Sequence, residues 1–179
     1  MISQPLVRTI VDVVGSPFHA IWTPEDGAIR AAGFATAADP EAASLMARLA
    51  SLDPELAARG LEASQTSDGA IADALRAYAA GDLVAIDALP VAQPETPFRG
   101  EVWRALRRVP AGAAVTYTEL AALAGRPSAV RAAASGCANN LVALVVPCHR
   151  IVRSDGGLGG YLFGTDVKER LLRHEGAIL

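Results

Sequence analysis

The sequence predicts an α/β (α+β) protein. A small N-terminal α/β domain with an antiparallel sheet, residues 1–93, precedes a mainly helical C-terminal domain, residues 97–179, containing a winged helix-turn-helix-like motif. Three observations predict this. Residues 7–34 alternate apolar runs with tight-turn residues, as a meander does. Pro90, Pro94 and Pro97 punctuate a short polar stretch that blocks helix and reads as an extended linker. Beyond the linker, helical apolar periodicity dominates and the charge reverses sign. Residues 1–96 carry five Arg against thirteen acidic residues, a net of −8, whereas residues 97–179 carry eleven basic residues against six acidic ones, a net of +5.

In the first half, Val7–Val14, His19–Trp22 and Ala28–Phe34 read as strands, separated by turns at Gly15-Ser16-Pro17 and Pro24–Gly27. The Ala-rich segments Pro40–Leu52 and Asp68–Ala80 read as helices with Asp caps. His19 reads as a strand residue, and no catalytic constellation stands out before the linker.

Composition bounds the rest. With 179 residues, 51% apolar and 20% charged, the chain is long enough for a real core and is neither disordered nor collagen-like. The longest charge-free run, Ala132 to His149, contains Ser135, Gly136, Asn139 and Asn140, which excludes a membrane span there. No basic lead followed by an apolar block opens the chain, and two cysteines, Cys137 and Cys148, make no disulfide framework; a reducing, cytoplasmic setting is expected.

Signals concentrate after the linker. Phe98–Val109 carries Val102, Trp103, Leu106 and Val109 on one helical face and stops at Pro110. Thr116 or Thr118 caps a short helix, Thr118–Ala124, that ends at Gly125; a further helix starts near Pro127 and Ser128 and runs to about Cys137. Two short helices around a glycine turn make a helix-turn-helix pattern, and an ordinary αα-hairpin fits the same spacing. Residues 128–138 offer Arg131 as their one long polar side chain, poor equipment for reading bases in a major groove. Their small side chains instead suit close backbone approach to a narrow groove, or tight helix packing.

Leu141–Val146 is an uninterrupted apolar run that reads as a buried strand delivering Pro147-Cys148-His149-Arg150. A cysteine beside His149 and Arg150 sits in cationic surroundings that favour thiolate, the form required of a nucleophile. A structural cysteine is the competing reading, and Cys137, among Ala and Gly, takes it. Five glycines lie between Gly156 and Gly164, a loop with little side-chain bulk. It lacks the GxxxxGK[ST] pattern of a P-loop. With Tyr161 and Phe163 it reads either as a wall suited to a flat ring beside the thiol or as a plain flexible loop. Thr165–Gly176 reads as a capped terminal helix, with His174 at the surface near its end; Glu175 either folds back toward His149 or stays at the surface.

Val146-Pro147-Cys148-His149-Arg150 resembles the active-site signature of the O6-alkylguanine-DNA alkyltransferases. Phe98, Val102-Trp103, Tyr117–Ala121, Arg131, Asn140, the loop through Tyr161–Gly164, and Lys168–Leu172 with His174–Gly176 follow in that family's order and spacing. The likeness covers essentially all of residues 97–179. It is weaker before the linker, where Ala74–Tyr78, Gly81 and Thr96–Phe98 match and the remainder fits the family's ribonuclease H-like N-terminal domain.

The resemblance implies a DNA-repair protein that flips O6-alkylguanine out of the duplex and takes the alkyl group irreversibly onto its own Cys148, once per molecule. His149, through a water, and Glu175 would generate the thiolate; Tyr117 would assist the leaving guanine and Asn140 would brace the turn. Arg131, with Tyr117, Ser128, Ala132 and Ser135, would contact DNA. Val146, Pro147, Gly159, Gly160, Tyr161, Leu162 and Phe163 would form the substrate pocket, with Lys168 near the lesion. It further implies a monomer without metal or cofactor, acting on double-stranded DNA, with O4-alkylthymine a second candidate lesion. Departures from the family's pattern fall at Ala111, Ala132–Ala134, Leu141 and Ala143. Two other classes remain open: a lesion-binding helix-turn-helix protein without transfer, and a cysteine hydrolase using Cys148, His149 and Glu175.

Overall fold

The computed structural model describes residues 3–179 and divides after Pro94 into two compact units. The architecture is mixed α/β.

In the first unit, β1 (Val7–Val13), β2 (Ser16–Trp22) and β3 (Ile29–Phe34) form an antiparallel sheet in the order β1-β2-β3. Val7, Thr9, Val11 and Val13 are buried while Asp12 is exposed, the period-2 pattern of a strand with one covered face. The first turn lies one residue earlier than the glycine-proline signal suggests. Val13 pairs with Ser16, so Val14 and Gly15 make a two-residue hairpin loop, both with positive φ (46° and 81°). Such a loop suits the right-handed strand twist, and Pro17 is already inside β2. Segments at Gly60–Thr66 and Pro90–Ala92 hydrogen-bond along β1 and β3 and cover the sheet edges.

α1 (Ala43–Leu52) packs on β3, α2 (Pro54–Ala57) follows it, and α3 (Ala70–Ala79) packs on β1. α1 begins three residues after Pro40, because Ala42 adopts a left-handed conformation and interrupts the path into the helix. Asp39 nevertheless accepts from the Ala43 and Ser44 amides. Asp68 does not cap α3; Gly69 occupies that position without a side-chain bond. His19 is a buried residue of β2, and burial together with Arg8 lowers its pKa below that of a free imidazole, against the opposing pull of Glu41 and Asp39.

In the second unit, α4 (Pro97–Arg108) starts on Pro97, where the missing N–H costs no intrahelical bond. Its Val102, Trp103, Ala105 and Leu106 are buried, and α5 (Tyr117–Leu123) and α6 (Val130–Ala138) pack against it and each other. Of the two candidate caps, Thr116 serves: its hydroxyl accepts from the Glu119 amide while Glu119 accepts from the Thr116 amide. α6 starts three residues later than the proline signal, since residues 126–129 form a separate turn closed by the Ala129 amide on the Arg126 carbonyl. β4 (Val115–Thr116) pairs in parallel with β5 (Ile151–Val152), and α7 (Thr165–His174) closes the unit without a side-chain cap. No helix among the described residues is long and apolar enough to cross a membrane.

Candidate active site

Helix α6 presents three different faces. Ala133 and Gly136 are buried toward α4. A Cβ on Gly136 would stand 2.8 Å from Val102 Cγ1, and the Gly136 carbonyl accepts from the Trp103 indole at 2.9 Å. A second face, Ala134, Cys137 and Ala138, lines a cavity. The third is exposed and contains Arg131, Ala132 and Ser135, continued one turn earlier by Ser128.

The buried run after α6 is not a strand. Leu141 to Val146 bends through a turn at Ala143–Val145, with Val142 in an isolated bridge and Leu144 at φ 71°. The cause is Asn140, 5% exposed, whose side chain substitutes for a ladder partner. Its Oδ1 accepts from the Val142 amide at 3.1 Å, and its Nδ2 donates to the carbonyls of Val142 at 3.3 Å and Val146 at 2.9 Å. The same Nδ2 reaches Cys148 Sγ at 3.4 Å. The six apolar side chains are thus buried around a side-chain amide, and the chain emerges through Pro147 into a short 3-10 turn, Cys148–Arg150.

That turn separates the neighbouring side chains. Cys148 faces the cavity, while His149 is fully buried with Nε2 2.8 Å from Glu175 Oε1. Arg150 donates from Nε to Glu175 Oε2 at 3.0 Å and from Nη2 to Oε1 at 2.9 Å; its Nη1 donates to the Val109 carbonyl at 2.6 Å. Burial pushes the Glu175 carboxyl upward, but the bonds and charges of His149 and Arg150 outweigh it and bring its pKa to about 2. Burial lowers the His149 pKa, and the pull of Glu175 only partly compensates. At neutral pH the centre is therefore Glu175 carboxylate, Arg150 guanidinium and neutral imidazole. An ionised carboxylate has no proton to give, so Nε2 carries the hydrogen and Nδ1 keeps its lone pair. His149 Nδ1 is buried without a hydrogen-bond partner in the protein.

The cavity is about 260 Å³ and is lined by Cys148 and Asn140 at one side, by Ala134, Cys137, Ala138 and Ala143, and by Tyr117 and Gly160–Phe163. Gly160, Tyr161, Leu162 and Phe163 are therefore brought to the thiol. Val146 and Pro147 are not: both are buried beneath the turn that carries Cys148, and the Val146 carbonyl is engaged by Asn140. Gly159 is not part of the lining; a Cβ there would stand 3.3 Å from the Tyr117 hydroxyl, and its φ is 78°. Burial, followed by the proximity of the two thiols, raises the Tyr117 pKa and keeps it a protonated donor. Cys137, which composition alone makes structural, shares the cavity wall; burial raises its thiol pKa strongly, so it remains protonated.

Lys168 is buried and holds the loop. Its ammonium donates to the Ile151 carbonyl at 2.6 Å and the Gly160 carbonyl at 3.3 Å. Lys168 and Glu175 lie seven residues apart and both face inward, so α7 and its C-cap brace the glycine loop and the imidazole together. A second hollow, lined by Tyr117, Thr118, Val130, Arg153, Ser154 and Asp155, opens beside the first. No sequence motif marked Arg153 or Ser154; the parallel pairing of β4 with β5 brings them to Tyr117.

Residues 97–177 match the family model of the 6-O-methylguanine DNA methyltransferase DNA-binding domain. The methylated-DNA–protein-cysteine methyltransferase of Shigella flexneri is 38% identical over 177 residues, covering 97% of this chain and 99% of that protein. The enzyme of the same name from Salmonella typhimurium is 47% identical over 116 residues, 65% of this chain and 68% of its own. The fold resembles the crystal structure of the Mycobacterium tuberculosis O6-methylguanine methyltransferase with a TM-score of 0.71, at 25% identity, over 96% of this chain and 93% of that one. With the thiol, the buried imidazole–carboxylate pair and the cavity in place, the chain belongs to the methylated-DNA–protein-cysteine methyltransferase family.

Proposed function

We propose that this protein repairs double-stranded DNA by moving an alkyl group from O6 of guanine to Cys148, once per molecule. The observation that carries the reading is the pairing of Cys148, in the cavity wall, with a neutral His149 fixed by Glu175. An alkyl group on O6 cannot reach a thiol inside a pocket while its base stays stacked, so the nucleotide must leave the helix. The exposed face of Ser128, Arg131, Ala132 and Ser135 meets the minor groove, its small side chains allowing close approach, and Arg131 fills the vacated stack. The positive charge of the second unit binds phosphates without sequence preference.

With guanine in the cavity, the Cys148 proton passes through a bridging water to His149 Nδ1, whose lone pair is available because Glu175 holds the hydrogen on Nε2. The thiolate attacks the alkyl carbon; the S–C bond forms as the C–O6 bond breaks, and the electron pair departs onto guanine. Tyr117, kept protonated, donates a hydrogen bond to the ring as this charge develops. Asn140 fixes the turn and donates toward the sulfur. The thioether product has no hydrolysis route, which makes the reaction stoichiometric. The first unit serves as a scaffold, and the protein acts as a cytoplasmic monomer.

The test is the mass of the protein and of its Cys148 peptide after one incubation with duplex DNA containing O6-methylguanine. One added methyl on that peptide, with unmodified guanine left in the DNA, is the expected outcome. Tight binding of the modified duplex without a mass change would place the protein among lesion binders instead. Cys148→Ala should bind the same duplex and take up no methyl; repair retained in that variant would refute the mechanism.

A further inference from the structure

Leu162 lines the cavity yet is 63% exposed, whereas Phe163, beside it, is 9% exposed and Tyr161 is half-buried. The Gly164 amide donates to the Tyr161 carbonyl at 3.0 Å, so residues 161–164 form a tight turn with Leu162 and Phe163 at its corner. The Tyr161 and Phe163 rings pack edge to face, 5.4 Å between centroids, and Lys168 holds the Gly160 carbonyl just before the turn. Leu162 is therefore a large apolar side chain held outward on a braced corner at the cavity mouth. A single exposed leucine is ordinary on a protein surface. One fixed at the rim of a cavity that must admit a nucleotide is covered when that nucleotide arrives.

Resting on the repair reading above, we propose that Leu162 is a positioning residue that packs against the deoxyribose of the extruded nucleotide and holds it at the mouth while the base occupies the cavity. The part of the nucleotide left at the mouth is the sugar, whose C–H faces offer apolar surface and no base identity. Contact there stabilises the extruded nucleotide over the stacked one, irrespective of flanking sequence. It also separates Leu162 from Arg131, whose contribution depends on a stack to fill.

Single-turnover transfer is measured for wild type, Leu162→Ser and Leu162→Met on three substrates: duplex DNA and single-stranded DNA containing O6-methylguanine, and the free O6-methylguanine base, which has no sugar. Leu162→Ser should lower the second-order rate constant five- to tenfold on both DNA substrates and by a clearly smaller factor, about two- to threefold, on the free base, since Leu162 also lines the cavity that holds the base. Leu162→Met, which restores the apolar contact, should recover most of the loss. Unchanged rates on DNA, or an equal loss on the free base, overturns the proposal and leaves the repair reading standing. No transfer by wild type to any of the three overturns the repair reading and this proposal with it.

Discussion

His149 and Glu175 are joined by a single hydrogen bond, Nε2 to Oε1 at 2.8 Å, that fixes which ring nitrogen stays free. Glu175 is itself held in place, being 4% exposed and accepting from Arg150 through both oxygens. Replacing it by Gln keeps the shape but removes the charge that balances a buried guanidinium. Glu175→Gln should destabilise the fold by about 3–5 kcal/mol, the usual consequence of stranding one member of a buried ion pair. It should also slow transfer at least tenfold, because the amide no longer dictates the tautomer. Denaturant unfolding together with single-turnover methyl transfer checks both; a variant as stable and as fast as wild type would contradict the assignment.

The same contact sets an acid limit. Glu175 has a folded pKa of about 2 against an ordinary value of 4.5, so its contribution is present in full above pH 4.5 and is lost as pH falls toward about 2. The amount is about 3 kcal/mol. His149 and His19, both lowered by burial, act in the same direction: each favours the folded state above its ordinary pKa of 6.5 and loses that advantage as pH falls below it. Urea midpoints should therefore decline from pH 7 to 5 and more steeply below 4.5. A midpoint that rises over either interval contradicts the neutral-imidazole arrangement.

Arg131 projects from the exposed face of α6 that also carries Ala132 and Ser135, and no comparable side chain shares that face. Arg131→Ala should slow transfer from duplex DNA tenfold or more and leave the free-base reaction within twofold. Single-stranded DNA, with no opposite strand to keep stacked, should show an intermediate loss. Equal losses on all three substrates would mean that Arg131 acts on the thiol centre or on folding rather than on extrusion.

Gly136 marks where α6 touches α4. An added methyl would meet Val102 Cγ1 at 2.8 Å inside a buried helix contact, with Trp103 bonded to the Gly136 carbonyl beside it. Gly136→Ala should destabilise the chain by about 1–3 kcal/mol despite the better helix propensity of Ala, because overpacking outweighs it. A higher melting temperature in Gly136→Ala would show that the two helices part without cost.

The residues of Val146–Arg150 announced their chemistry in sequence, and the helices announced themselves by apolar period and, for α5, by Thr116 at its start; Pro97, whose ring reads as a linker signal, instead opens α4. What stayed illegible was how side chains replace regular structure. Leu141–Val146 has the composition of a buried strand, and nothing local shows that the Asn140 amide will take the hydrogen bonds a neighbouring strand would otherwise supply. Val146 and Pro147, which the family resemblance implies for the pocket, are buried residues outside the cavity lining. Cys137 was legible in principle: it lies three residues beyond Ala134 and one before Ala138, so helix phase alone puts all three on one face. Which face meets the thiol depends on packing around Gly136, a contact far apart in sequence.

Lys168 is a buried cation whose hydrogen bonds go to backbone rather than to a carboxylate; its ammonium holds two carbonyls, Ile151 and Gly160. Burial lowers its pKa while the nearby Cys148 and Cys137 raise it, so formation of the thiolate and retention of the ammonium support each other. Lys168→Met keeps the length of the side chain and removes both the charge and the donors. Two carbonyls then lose their partner, which costs about 1–3 kcal/mol where they are buried, and the loop is no longer held to β5. Amide hydrogen exchange across residues 156–163 should rise while that of α4 stays unchanged. Transfer should slow five- to twentyfold, with the rate recovering at higher pH as thiolate forms without the ammonium's help. A slower variant whose pH profile keeps the wild-type shape would limit Lys168 to bracing the loop, and unchanged exchange over 156–163 would remove that role as well.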